Sequence, residues 1–435
     1  MDISSNKFAV VSSKVNKSSL GAINSLVFLF ILYALFAFKR IKEIGATELN
    51  GVSGTNEIVI YLLFGVLLLF FSKAPLKRKI IFWVAIFTIY LLICSKNVYN
   101  KPDFYYALGV FIVPFLFLFG FNIKNKEQSI MIMKIILIIC GAYSILALYS
   151  VGNYAAMNDM MGNTVKTNLD EQYRPSLMLG SSITVSYYLI ITMPIIHFII
   201  LNVKERIWKN IAYIVFFLCI LSVTLLLSRL AFLVMVVLLI LFLFRIKSAR
   251  RRVILLLSVI IFGGIFIWIN DYNIQRLFLG FSDDSSSLSR FDALEVGWIA
   301  FRNNPITGTG MGQYYIRTFE NNMTVIYGRD SLVDPHNVYI LFLSETGIIG
   351  TGIIIIGFIF LVKHFFKIKD KGLRFAALST IFVMGGMLLG GSQLVNEISF
   401  SIIFWSYMSL YLACKNINFG EKIETKQQEL TGNGE

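Results

Sequence analysis

Charge is scarce in this sequence. Only 15% of its 435 residues are Asp, Glu, Lys or Arg, against 57% apolar residues and a mean hydropathy of +0.73, far from the usage of water-soluble domains. That scarcity excludes a soluble globular domain and points to an integral membrane protein. Cysteine is sparser still. Cys94, Cys140, Cys219 and Cys414 all fall in or at the end of apolar runs, without disulfide or metal-site spacing, and read as small packing groups. The apolar runs lack the period-two alternation of a barrel, which leaves a helical bundle as the spanning structure. A small-residue cleavage site is also lacking after the first run, which ends in Lys39-Arg40 and reads as an uncleaved span rather than a signal peptide.

What is present is a succession of apolar runs, about twelve, each near the roughly 20 residues that cross the hydrocarbon as a helix. They cover 21–38, 57–72, 80–95, 104–121, 130–151, 176–201, 210–227, 230–245, 253–269, 346–363, 375–391 and 400–414. The expected fold is therefore an all-α integral membrane protein, a polytopic bundle of about twelve transmembrane helices with one large outer loop. Its parts are a cytoplasmic tail (1–20), helices one to nine with an outer loop at 152–175 (21–269), a large extracytoplasmic loop (270–335), helices ten to twelve (336–414) and a second cytoplasmic tail (415–435).

The net charge of +14 invites nucleic acid as a partner, but the placement of the charge excludes it. Lysine and arginine crowd short connections, among them Lys77/Arg78/Lys79, Lys204/Arg206/Lys209, Arg250/Arg251/Arg252 and Lys367/Lys369/Lys371. With both termini inside, all fall on one side, as the positive-inside rule requires. The exception is Lys39/Arg40/Lys42, which this topology puts outside. Either the first helix is tilted or interfacial, or the first span is drawn wrongly.

Several polar residues in this apolar chain need a reason. Arg174-Pro175 closes the loop 152–175 against the sixth span; Arg174 is either a headgroup anchor or part of a site. Arg229 interrupts nearly continuous apolar sequence between the seventh and eighth runs, where a charge is costly without a partner or a wet cavity; the alternative is a tight outer turn with a snorkelling arginine. Within the large loop, Phe291, Leu294, Trp298 and Phe301 recur at helical spacing while Asp292, Glu295 and Arg302 face elsewhere, an amphipathic helix lying on the bundle or in the interface. Ser289 with Asp292 suggests its start and Asn303-Asn304-Pro305 its stop. Gly308 to Gly312, centred on Gly310, is a glycine-rich turn that either cradles phosphate oxygens or returns the loop to the membrane. Asp334-Pro335 then predicts an N-cap and first helical residue, placing His336 in a helical first turn. Residues 337–343 read as a partly inserted helix before the tenth span. Between Asn270 and His336 there is no lysine but there are Arg276, Arg290, Arg302, Arg317 and Arg329. Guanidinium binds phosphate in bidentate fashion, as a pyrophosphate site requires, although topology bias alone also depletes lysine outside.

Taken in order, Ser228-Arg229, Arg290 with Trp298, Asn304-Pro305 through Tyr314, His336-Asn337 with Tyr339, and Glu345 to Gly350 resemble the O-antigen ligase and Wzy-type polysaccharide polymerase family. The resemblance covers mainly residues 170–355 and departs at Leu230, where a small residue is expected. It implies a membrane-embedded glycosyltransferase of the bacterial inner membrane. Its donor is a polyprenyl-pyrophosphate-linked oligosaccharide, and it needs no nucleotide sugar, metal or other cofactor. In a polymerase the acceptor is a lipid-linked repeat unit; in a ligase it is lipid A-core, and in related enzymes a protein side chain. On that resemblance Arg229 and Arg290 face the leaving pyrophosphate and His336 accepts the proton of the attacking hydroxyl. Arg174, Arg302, Gly310, Tyr314 and Asn337 bind substrate. A flippase and a chain-length regulator are the expected partners.

Two other classes compete. A transporter or flippase would suit twelve spans, but no matched halves are found and the polar residues gather in an outer loop rather than in paired broken helices at mid-membrane. A non-enzymatic scaffold leaves Arg229 without a reason.

Overall fold

In hydrocarbon every backbone N–H and C=O must find its partner within the protein, and a chain apolar on all sides meets that demand by coiling into helices. The computed structural model of the chain describes residues 61–63, 65–68, 77–95, 98, 101–153, 165–167, 173–175, 177–179, 181–226, 228–246, 248–269, 285–314 and 335–419. The helices are α1 (Lys77–Cys94), α2 (Lys101–Leu116), α3 (Lys126–Gly152), α4 (Ser182–Asn202), α5 (Arg206–Leu225), α6 (Arg229–Leu243), α7 (Ala249–Ile269), α8 (Ser285–Asn303), α9 (Val338–Phe366), α10 (Lys371–Met387), α11 (Gln393–Asn396) and α12 (Ile398–Ala413). A short antiparallel ribbon, β1 (Val165–Thr167) with β2 (Tyr173–Pro175), pairs Lys166 with Arg174. The first expected run, 21–38, and the Lys39–Lys42 cluster lie outside the described residues. The second is helical at 61–63 and 65–68, and each later run coincides with a helix.

Among the described residues, α3, α4, α5 and α9 are long and apolar enough to cross a membrane, and shorter apolar helices cover Phe104–Phe119, Arg229–Leu243 and Ile398–Ala413. Large aliphatic side chains such as Leu63, Ile93, Ile145, Ile214, Leu233 and Ile260 stand exposed on the outside of the bundle. In water such a surface would aggregate; around a membrane bundle it is the lipid face. This is a multi-pass membrane protein.

α4 is the axis. It is apolar all round and buried along nearly its whole length, packing against α3, α5, α6, α10 and α12, as a helix without a polar face must. Its hydroxyls fold back on the helix: Ser186 Oγ donates to Ser182 O at 2.9 Å and Thr192 Oγ1 to Tyr188 O at 2.8 Å. Cys140 and Cys219 meet across α3 and α5 with sulfurs 3.5 Å apart, as free thiols, the packing role expected of them.

The bundle has two distinct ends. At one, Asp370 caps α10 through Leu373 N (2.8 Å) and also accepts from Phe419 N (3.1 Å), while Lys369 N donates to Lys415 O (3.0 Å). Asn202 lies against Gly372, and Lys134 pairs with Glu205 at 2.6 Å. The basic connections gather there. At the opposite end begin α4, α6 and α9, around the close of α10.

The candidate active site

Helices leave their last carbonyls without intrahelical partners, and at the end of α10 other elements supply them. Val338 N donates to Leu388 O at 3.1 Å, Asn337 Nδ2 to Leu389 O at 3.1 Å, and the Tyr339 hydroxyl to Gly385 O at 3.3 Å. The Tyr187 hydroxyl, from the second turn of α4, donates to Met387 O at 3.4 Å. Gly390 lies under α6: a β-carbon there would fall 2.4 Å from Leu230 Cδ2. Leu230, the departure from the family pattern, thus fills the room left by a glycine.

Neighbours of the three residues expected to be catalytic meet at this junction. Arg229 is the first residue of α6, half-buried, after the buried Ser228. A cation in a first helical turn opposes the positive end of the helix dipole, so local preference does not explain it. Arg290 is exposed on α8, within electrostatic reach of the Tyr187 hydroxyl. His336 is exposed and immediately precedes Asn337. The three share neighbours within Gly385–Gly390: Leu230 touches Gly390, Tyr187 bonds Met387, and Asn337 bonds Leu389. Three helix N-termini and two guanidinium groups lie at this end of the bundle, features that favour an anion.

The backbone around His336 corrects the sequence expectation. The cap of α9 is Asn337, whose Oδ1 accepts from Tyr339 N (3.0 Å) and Ile340 N (3.1 Å). His336 sits one residue before the cap with φ 50, a left-handed conformation. Asn337 wins because one side chain satisfies two amides of α9 and a carbonyl of α10 together. Asp334 lies outside the described residues.

The glycine-rich turn is also corrected. Gly308 N donates to Asn304 O, Thr309 N to Ser344 O and Gly310 N to Glu345 O, each at 2.9 Å, so these amides do not cradle phosphate. They close a break in α9. Gly347, with φ 63 and ψ −171, interrupts that helix, and the freed groups are met by the turn: Ile348 N donates to Pro305 O (2.9 Å) and Ile349 N to Ile306 O (3.4 Å). From α1, the Tyr90 hydroxyl donates to Thr346 O at 2.7 Å. Met311 is buried with Phe87, Leu91, Val98 and Phe104. The expected short helix before the tenth span is therefore present, joined to it at Gly347.

α8 begins at Ser285, four residues before the start expected at Ser289, and ends at Asn303 as the stop signal requires. Its buried face is not the aromatic one. Ala293, Val296, Gly297 and Ala300 pack inward, while Phe291 and Trp298 are exposed and Leu294 and Phe301 half-exposed. Small residues let the backbones approach, as in other membrane helix pairs: a β-carbon on Gly297 would lie 2.4 Å from Ile340 Cγ2.

Tyr314, expected to bind substrate, is a strut in the structure. It is 2% exposed; its hydroxyl donates to Ala293 O at 2.7 Å and its amide to Glu345 Oε1 at 3.3 Å. It ties α8, one turn from Arg290, to the break in α9. Arg302 is exposed at the far end of α8, about 18 Å from Arg290 along a helix rising 1.5 Å per residue, and is not brought into the junction. Arg174 lies on β2, with its side chain outside what is described; Arg276, Arg317 and Arg329 also lie outside the described residues.

Glu345, Tyr187 and the Gly385–Gly390 segment were not singled out as site residues. For Glu345 the signal was available, an acid within an apolar stretch and 5% exposed in the structure, which is a functional position by default in a membrane protein.

Residues 214–355 match the family model of the O-antigen ligases. That segment, about a third of the chain, is similar to the O-antigen ligases. It runs from within α5 to within α9 and holds Arg229, Arg290, Arg302, Gly310, Tyr314, His336 and Asn337, but not Arg174. No curated protein matches the chain. In the matched segment the turn at Gly308 to Gly310 closes the break at Gly347, and Arg229, Arg290 and His336 lie in the same segment.

Proposed function

We propose that this protein is a polysaccharide polymerase. It transfers a glycan chain from polyprenyl pyrophosphate to a lipid-linked repeat unit at the outer face of the bacterial inner membrane, in O-antigen, capsule or exopolysaccharide synthesis. The observation that supports this reading is that Arg229, Arg290 and His336 all lie in the segment similar to the O-antigen ligases, and that Leu230, Asn337 and Tyr187, the last within electrostatic reach of Arg290, meet at Gly385–Gly390.

In this mechanism a sugar hydroxyl of the acceptor attacks the anomeric carbon of the donor. A carbon–oxygen bond forms, the bond to the pyrophosphate oxygen breaks, and its electron pair leaves on polyprenyl pyrophosphate. Arg229 and Arg290 stabilise that charge where it develops. The neutral imidazole of His336 takes the proton of the attacking hydroxyl. Neither metal nor nucleotide sugar is required. Arg174 and Asn337 extend the site toward the saccharide, with Asn337 acting mainly by holding His336 in place. The chain crosses the membrane about twelve times with both termini cytoplasmic, and the large loop 270–335 is extracytoplasmic. The gathering of the basic connections at one end supports that orientation. A flippase that delivers the repeat unit and a chain-length regulator are the expected partners.

The family match itself favours a second reading, ligation to lipid A-core; protein glycosylation uses the same donor. One experiment separates them. Purified protein in liposomes receives a synthetic polyprenyl-pyrophosphate oligosaccharide as sole substrate, with gel ladder and released lipid as readouts. A ladder lost in Arg290→Ala and His336→Ala supports the polymerase. No product until a second acceptor is added favours the ligase, and full activity in both variants overturns the site.

A further inference from the structure

α8 has three faces. At 3.6 residues per turn, positions 290, 291, 294, 298 and 301 fall within an arc of about 100°, and none of these side chains is buried. Ala293, Val296, Gly297 and Ala300 occupy the next arc and pack against the bundle, and Asp292, Glu295 and Arg302 lie between. Arg290 therefore does not stand on the polar side of the helix. It heads an outward strip of apolar side chains that continues through Phe291, 52% exposed, and Trp298, 44% exposed, to Phe301, whose ring lies 5.3 Å from that of Trp298. From Arg290 to Phe301 the strip is about 16 Å long at 1.5 Å per residue.

A guanidinium at one end of an exposed aromatic strip matches an amphiphile with an anionic head and an apolar tail. A helix that served only to anchor in the interface would gain from aromatic residues without needing a cation beside the junction. From this pattern we infer that the outward face of α8 is the seat of the first isoprene units of the lipid donor. The pyrophosphate lies at Arg290 and the chain runs along Phe291, Leu294 and Trp298. The inference rests on the proposed function for the identity of the head group; the strip itself does not.

The test is binding of two probes to the detergent-solubilised full chain, inorganic pyrophosphate as the short probe without a tail and undecaprenyl pyrophosphate as the long one, followed by thermophoresis. The wild type is expected to bind the long probe at least about tenfold more tightly, the gain from burying apolar chain on apolar surface. Phe291→Ser with Trp298→Ser, both on exposed positions, erases that preference to within about twofold and leaves the short probe unchanged. Arg290→Ala weakens both probes alike. If the double variant keeps the chain-length preference while eluting and melting as the wild type, the tail site is overturned and the strip is an interfacial anchor only. If the double variant loses the preference but Arg290→Ala changes neither probe, the tail site stands and the head-group role of Arg290 falls.

Discussion

His336 holds a left-handed backbone with φ 50, which glycine adopts freely and which costs a residue with a β-carbon about 1–2 kcal/mol. A histidine kept there at that cost fits the role proposed for its side chain. His336→Gly should remove the imidazole without disturbing the turn. We expect a melting temperature equal to or above the wild type, transfer reduced at least about 100-fold, and partial recovery with added imidazole. A fall in stability alongside activity, without rescue, would assign the residue to structure. Arg290 is judged by its shape as well as its charge. Arg290→Lys keeps the cation but loses the fork that grips two phosphate oxygens, so turnover should drop on the order of tenfold with the fold intact. Turnover equal to wild type would mean that no phosphate is gripped there.

At the scale of elements, the two halves of α9 and the turn 305–310 make one joint. A β-carbon on Gly347 would lie 2.3 Å from Ile306 O, and one on Gly308 2.4 Å from the Glu345 carbonyl, whereas one on Gly352 meets nothing within 4 Å. Gly347→Ala and Gly308→Ala should each destabilise by at least about 2 kcal/mol, from the positive φ and the clash together. Gly352→Ala, in the same helix, should stabilise by up to about 1 kcal/mol. Thermal unfolding in detergent checks all three, and equal effects at Gly347 and Gly352 would refute the joint. Both sides of the joint were visible in the sequence as glycine-spaced segments, at Gly308 to Gly312 and Gly347 to Gly350. Their pairing was not, because 35 residues separate Thr309 from the Ser344 carbonyl it bonds. The inward face of α8 was hidden for another reason. Aromatic and small residues share the helical period, and against lipid the small ones pack while the large ones face out. The start of α9 was misplaced by two competing caps, Asp334 and Asn337, since only the fold reveals that Leu389 O waits beside the second.

For the whole molecule, the separation of a basic end from the junction makes sidedness measurable. α9 begins beside the junction, and from Ile348 to Phe366 it runs about 28 Å, enough to traverse a hydrocarbon core of about 30 Å. Its far end carries Lys363 and Lys367. Arg302, at the close of α8, and Lys367 are both exposed. In a background with Cys94, Cys140, Cys219 and Cys414 replaced by alanine, Arg302→Cys should react with a membrane-impermeant maleimide added to spheroplasts. Lys367→Cys should react only after permeabilisation, since lysine-rich connections stay in the cytoplasm. Labelling of both from the same side would break the alternation of spans on which the outer placement of the junction depends. Reversed labelling would preserve the bundle but turn the junction toward the cytoplasm, and polymerisation at the outer face would then be untenable.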